Sequence, residues 1–235
     1  MAAVFYTTSV TTRESVSTGS LDKKVTRLKG RRSPLIAREG IPVLLAAFLI
    51  AAFSWYYLGW FASIVPAIAT ASLFMLFRDP HRDVPALPLA AVCPVDGVIA
   101  EVTSGMNHVT NTPAHKIIIR INAFGTYTAR APVEGMILDS HGKSVAPEVV
   151  ADAPGLWIRT DEGDDVLLRF HGNRFGLVPR AFSRYGERVG QGQRCANLRL
   201  ARFAEVYLPV NSRVQVVAGQ EVVAGRDVLG SLPHP

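Results

Sequence analysis

The chain has 235 residues, with 25 Lys and Arg against 19 Asp and Glu, for a net charge of +6. Its two cysteines, Cys93 and Cys195, lie far apart and in no ligand-like spacing, which argues against a disulfide scaffold or a zinc site and fits a reducing compartment. A basic balance fits nucleic acid or an anionic membrane; no nucleic-acid recognition motif is present, and a basic cluster flanks a long apolar run, so the membrane accounts for it.

Residues 1–37 read as a disordered basic arm. Met1 to Gly19 is rich in Ser and Thr, with Glu14 its single acid, and Lys23, Lys24, Arg27, Lys29, Arg31 and Arg32 follow. The apolar run starts too late for a signal peptide and no cleavage site precedes it. No charged residue or histidine interrupts Ile41 to Phe77. That is roughly 55 Å of helix against a bilayer core of about 30 Å, so a hairpin within residues 38–78 fits better than one span. The tip is expected in Trp55 to Phe61, where Trp and Tyr favour the interface and Gly59 permits a turn. The arms are then Ile41–Ser54 and Ala62–Phe77. Both are short for a full crossing, so a re-entrant insertion is an alternative, and a helical pair buried in a soluble core is another. Arg38 before the run and Arg78 and Arg82 after it mark both ends as cytoplasmic.

Past the hairpin the pattern turns to strands, placing one β domain over residues 79–235. Pro80, Pro85 and Pro88 make Asp79 to Leu89 an extended linker. Expected strands are Ala91–Cys93, Val98–Val102, Lys116–Ile121, Tyr127–Arg130, Met136–Leu138, Leu156–Thr160, Val166–Phe170, Ala204–Leu208, Val214–Val217 and Glu221–Val223. Pro94-Val95-Asp96-Gly97 and Asn211-Ser212 read as turns, and Asp161 to Asp165 as a polar hairpin loop. The fold class is mainly β: a sandwich or distorted barrel preceded by a membrane-inserted helical hairpin.

Several stretches, in order and in register, carry a resemblance. They are Arg38-Glu39-Gly40; Phe77-Arg78-Asp79-Pro80 with Arg82 and Pro85; Pro94-Val95-Asp96-Gly97; Arg130-Ala131-Pro132-Val133-Glu134-Gly135; Gly176-Leu177-Val178-Pro179-Arg180; and Gly192-Gln193-Arg194 through Leu198-Arg199 to Val206-Tyr207-Leu208-Pro209. Together they span residues 38 to about 230, and the chain resembles the short bacterial form of phosphatidylserine decarboxylase. The resemblance implies a protein at the cytoplasmic face of the cell membrane that converts phosphatidylserine to phosphatidylethanolamine. It implies a pyruvoyl group made from the chain itself: a Ser after a Gly attacks the preceding carbonyl, the ester eliminates, and the Ser becomes the pyruvoyl cap. That carbonyl takes the substrate amine as a Schiff base and serves as electron sink. Asp and His activate the Ser.

The chain departs from this pattern at the chemistry. Register on Arg199 and Val206-Tyr207-Leu208-Pro209 sets Ala201-Arg202 against the family's Gly-Ser. Arg202 has no hydroxyl, so no pyruvoyl cofactor forms there. The family's His falls on Tyr127, a poor base at neutral pH. Asp96 keeps its family identity. The stretch between Leu138 and Gly155 is shorter than in the family.

Other residues give no substitute. Gly230-Ser231 lies at what reads as a frayed end, and Gly19-Ser20 in the disordered arm. Ser212 reads as a turn residue. His108, His115 and His171 lie on or near strands without a nucleophile beside them. Asp161, Glu162, Asp164 and Asp165 lack a calcium-loop spacing, and no metal is expected. Asp96 itself reads as a turn residue capping backbone amides. The expectation is a membrane-anchored, decarboxylase-like protein without self-cleavage or catalysis. It would bind anionic phospholipid or regulate an active paralogue, with nucleic acid excluded. Arg202 either pairs with a lipid headgroup or is a surface arginine. The alternatives are an active decarboxylase using an unrecognised residue, and another lipid-modifying enzyme on the same scaffold.

Overall fold

The computed structural model describes residues 36, 37, 39–85, 87–107, 110–139, 155–172 and 177–233. The basic arm to residue 35, Arg38, His108, Gly176 and most of the shortened stretch after Leu138 lie outside them.

The apolar run forms two helices, α1 (Gly40–Leu58) and α2 (Trp60–Phe77), that pack side by side as a hairpin. The break is the single residue Gly59, at φ 86° and ψ 176°, a conformation that glycine adopts without steric cost. The aromatic segment therefore stays helical, and each arm is longer than the sequence suggested. At ~1.5 Å per residue each helix runs roughly 27–28 Å, close to a bilayer core. Both are long and apolar enough to cross a membrane. Their large side chains face outward all round, with Leu49 at 65% exposure and Val65 at 73%. Water is a poor medium for so much contiguous apolar surface. At the base the two arms touch through glycine: a Cβ on Gly40 would come within 2.4 Å of the Phe77 ring. Ala37 N–H donates to Phe77 O at 3.0 Å and closes the base.

The rest of the described chain is β structure. The strands are β1 (Ala90–Val92), β2 (Gly97–Asn107), β3 (Thr112–Ile121), β4 (Thr128–Arg130), β5 (Gly135–Asp139), β6 (Gly155–Arg159) and β7 (Asp165–His171), then β8 (Arg180–Ala181), β9 (Arg188–Val189), β10 (Arg194–Asn197), β11 (Phe203–Pro209), β12 (Arg213–Val214), β13 (Glu221–Val222) and β14 (Val228–Ser231). One antiparallel sheet runs β13-β2-β3-β11-β7-β6-β5-β9; two smaller sheets run β1-β14-β12 and β4-β10-β8. Ile99, Ile117, Ile119, Leu168, Phe170 and Val206 from the large sheet pack with Ala91, Leu229, Ala129 and Ala196 from the small ones. The core thus lies between sheets, as in a sandwich, and the alternation of the β3 and β11 side chains decides which face is buried.

Three expectations change. Val214 to Val217 is strand only to Val214, because Gln215 leaves the ladder after one bond to Leu229. Gly230-Ser231 is not frayed: Gly230 is buried in β14 and Ser231 pairs with both Ala90 and Arg213. The short strands β8, β9 and β10 were hidden by charged or small residues, which carry little β signal on their own.

Candidate functional site

The base of the hairpin sits on the β domain through two ionic groups. Asp79, just past α2, is fully buried. It accepts from the Thr128 hydroxyl and forms ion pairs with Arg194 Nε at 2.8 Å and Arg130 Nη2 at 3.8 Å. Burial raises the Asp79 carboxyl above its ordinary value against the pull of these donors. Burial likewise lowers the Arg130 and Arg194 guanidinium groups. Glu39, just before α1, accepts from Arg199 Nη2 at 3.0 Å and from the Tyr127 hydroxyl at 3.2 Å. Its burial opposes charge, but the Arg199 guanidinium beside it holds the carboxyl below the ordinary range.

Tyr127 is buried, its ring tilted against Phe77 with centroids 4.9 Å apart, and committed to Glu39. Burial first, then the Glu39 charge, pushes its hydroxyl up to about 12, so it is a phenol at neutral pH. With Ala201, Leu76 and Leu198 it lines a cavity of only about 20 Å³. Ala201 is turned into that cavity by a tight turn in which its N–H donates to Leu198 O at 3.0 Å and Arg199 and Leu200 take positive φ.

Asp96 lies elsewhere. Its Oδ2 accepts from Arg82 Nη2 at 3.0 Å and Thr126 N–H at 3.0 Å, and its Oδ1 from Ala224 N–H at 2.7 Å. The amide-capping turn residue expected from sequence is what the geometry shows, with an arginine added. Gly125 permits this approach, since a Cβ there would lie 2.7 Å from the Asp96 Cβ. Gly97 lets β2 meet β3, because its Cβ would strike Arg120 O at 2.2 Å.

Asp96 and Arg202 line one open cleft of about 730 Å³. Arg78, Arg82, Arg120, Glu221 and Phe124 line it too. The strand register explains the meeting: Glu221 pairs with Val98, Val98 with Arg120, and Arg120 with Phe203, so one row across the sheet faces the cleft. Arg202 precedes Phe203 and is pinned by backbone bonds to Ile121 and His171. Arg78 enters as the extended residue that caps the end of α2, and Phe124 stands 62% exposed at the rim. Among the described residues Arg78, Arg120 and Arg202 have no side-chain hydrogen bond or ion pair. Sequence reasoning named Arg78 and Arg82 as flanking charges and as part of a family stretch, not as cleft residues, and missed Arg120, Arg199 and Glu39 as partners. The Arg38-Glu39-Gly40 stretch was the available signal for Glu39.

The remaining candidates have local partners. His115 lies 2.8 Å from Ser104 Oγ and 2.9 Å from Val210 O. His171 stacks on Phe203 at 5.3 Å. Ser212 sits in a turn bonded to Pro209. Arg159 engages Asp165 with two bonds and Arg188 engages Asp161, so the acidic loop is a paired hairpin tip. Among the described residues no group of His, Cys, Asp and Glu converges on a possible metal position. Cys93 and Cys195 are buried and free; burial raises both thiols, Cys195 to about 12.

No family model matches the chain. Curated relatives do. The phosphatidylserine decarboxylase proenzyme of Nitrosomonas eutropha is 31% identical over 207 residues, covering 83% of this chain and 94% of the relative. The chain belongs to the phosphatidylserine decarboxylase family. The proenzyme of Cupriavidus taiwanensis is 31% identical over 218 residues, 85% of this chain and 96% of its own, and that of Burkholderia ambifaria 32% over 213 residues, 85% and 97%. Among solved structures, the glucose permease IIA domain from Mycoplasma capricolum aligns at 17% identity with a TM-score of 0.42, over 60% of this chain and 94% of that one. For this decarboxylase-family chain, the arginine cleft beside the hairpin base is the candidate site.

Proposed function

We propose that this chain is a membrane-anchored member of the phosphatidylserine decarboxylase family that stays in one piece, makes no phosphatidylethanolamine, and binds anionic phospholipid headgroups at the cytoplasmic face of the cell membrane. The observation that carries the reading is Arg202: the sequence register sets it against the self-cleaving Ser, and its guanidinium faces the cleft. A hydroxyl oxygen is what attacks the preceding carbonyl, and a guanidinium has none. Without a carbonyl cofactor, the carbanion left by decarboxylation has no electron sink. Further support comes from the separation of parts. Tyr127 is tied to Glu39, and Asp96 has every short contact taken by Arg82 and two amides. Among the described residues no side-chain hydrogen bond links Asp96 to Tyr127 or to Arg202.

The membrane part is supported by the exposed apolar hairpin and by Arg78 at its exit; an inserted hairpin would bring the cleft toward the headgroups. The test is the intact mass of purified protein beside a decarboxylation assay on phosphatidylserine. One species near 25.5 kDa without product is expected. Two fragments with a blocked new N-terminus, or turnover above background, would refute the reading. Processing should return only with Ala201→Gly, Arg202→Ser and Tyr127→His together, since groups that act as a unit are not additive. Arg202→Ser alone should leave the chain whole.

A further inference from the structure

We infer that the cleft takes a phosphomonoester dianion, the headgroup chemistry of a lipid with a terminal phosphate, in preference to the serine headgroup. The inference deepens the lipid-binding reading above and rests on it.

The argument is one of charge and of what remains unpaired. Four arginines and two acids face the cleft. Arg82 and Asp96 satisfy one another at 3.0 Å, which leaves Arg78, Arg120 and Arg202 against Glu221 alone. A serine headgroup carries a phosphodiester, a carboxylate and an ammonium, and is net −1. Its ammonium needs an acceptor. Asp96 is spent on three donors, and Glu221 lies at the sheet edge on β13, beyond Val98 from Arg120. Three unpaired guanidiniums would also repel that ammonium. A terminal phosphate carries close to two charges and three acceptor oxygens, and it brings no cation. Planar guanidinium forks match phosphate oxygens two bonds at a time.

The framework around these arginines is rigid. Arg120 lies in the middle of the large sheet, between β2 and β11. Arg202 is fixed by Ile121 N–H donating to its carbonyl at 2.8 Å and by its own N–H donating to His171 O at 3.2 Å. Gly172 leaves room for its side chain, with an added Cβ lying 3.0 Å from the Arg202 Cβ. Arg78 follows Phe77 directly, so one wall of the cleft is the exit of the apolar hairpin. Like charges held together on a stiff scaffold stay mutually repulsive until an anion enters, and that relief is available to the ligand.

The experiment uses the full chain in a neutral detergent. Dioctanoyl phosphatidic acid, dioctanoyl phosphatidylserine, dioctanoyl phosphatidylcholine and soluble glycerol 3-phosphate are titrated at fixed salt, with binding read by thermal shift and by native mass. Phosphatidic acid should bind at least tenfold tighter than phosphatidylserine. Arg120→Gln and Arg202→Gln should each remove most of that preference. Arg180→Gln, which removes the same charge on β8 outside the cleft, should not. Glycerol 3-phosphate binding as tightly as phosphatidic acid would support the phosphomonoester site and assign it to a soluble ligand. Phosphatidylserine binding as well as or better than phosphatidic acid would overturn this inference and leave the anionic-lipid reading standing. No anionic lipid binding above phosphatidylcholine would overturn both.

Discussion

Asp79 shows how a single residue can hold a domain boundary. It is fully buried beside Arg130 and Arg194, and its Oδ1 makes no hydrogen bond. Burial of a charge is tolerated here because two guanidiniums and a hydroxyl converge on it. Asp79→Asn keeps the shape and removes the charge, leaving two buried arginines facing each other. Breaking a buried pair from one side costs on the order of 3 kcal/mol. Urea unfolding in detergent should show a loss of that size, and a loss below about 1 kcal/mol would mean that the arginines relax to solvent. Tyr127 makes the complementary point. Its hydroxyl has a structural partner in Glu39, so Tyr127→Phe should change hairpin docking and leave headgroup binding intact, measured side by side on one preparation.

At the scale of elements, the hairpin base is a close-packed joint. Gly40 lies against Phe77 with no room for a methyl, so Gly40→Ala should force the arms apart and cost about 1–3 kcal/mol. The thermal midpoint reads this directly. The Glu39–Arg199 contact adds a pH dependence. The Glu39 carboxyl is held below its ordinary value, so its folded form favours the anion. Its contribution is complete above the unfolded carboxylate pKa of about 4.3 and is lost as pH falls through the lower folded value. Wild type should therefore melt above Glu39→Gln at pH 7, and the two should converge on acidification well below pH 4. A gap that persists unchanged at pH 3 would mean that the ion pair is not what joins α1 to the β domain.

For the whole molecule, two apolar helices project from a sandwich whose own core is complete. Burial of such a hairpin in lipid would rely on apolar area, which salt does not screen. The full chain should stay with membranes in high salt, and deletion of residues 41–77 should release the β domain. Full extraction by salt alone would contradict insertion of the hairpin.

The apolar run, its basic flanks and the period-two strands are local features, and the sequence by itself determined them. Charge-free length predicts paired helices, and Ile117 and Ile119 on β3 predict a buried face. The motif order likewise determined the family, and that residue 202 is an arginine without a hydroxyl is legible from residue type alone. What only the tertiary structure decided is which distant residues share a space. Arg78, Arg120 and Arg202 are separated along the chain by whole strands; the register of β2, β3 and β11 brings Arg120 and Arg202 to one cleft, and the end of α2 adds Arg78. Tyr127 and Asp96, which the sequence register suggested as one pair, each meet a partner from elsewhere: Glu39 for Tyr127, Arg82 and Ala224 for Asp96. Long-range pairing depends on packing of the whole sandwich, and no window of the sequence encodes it.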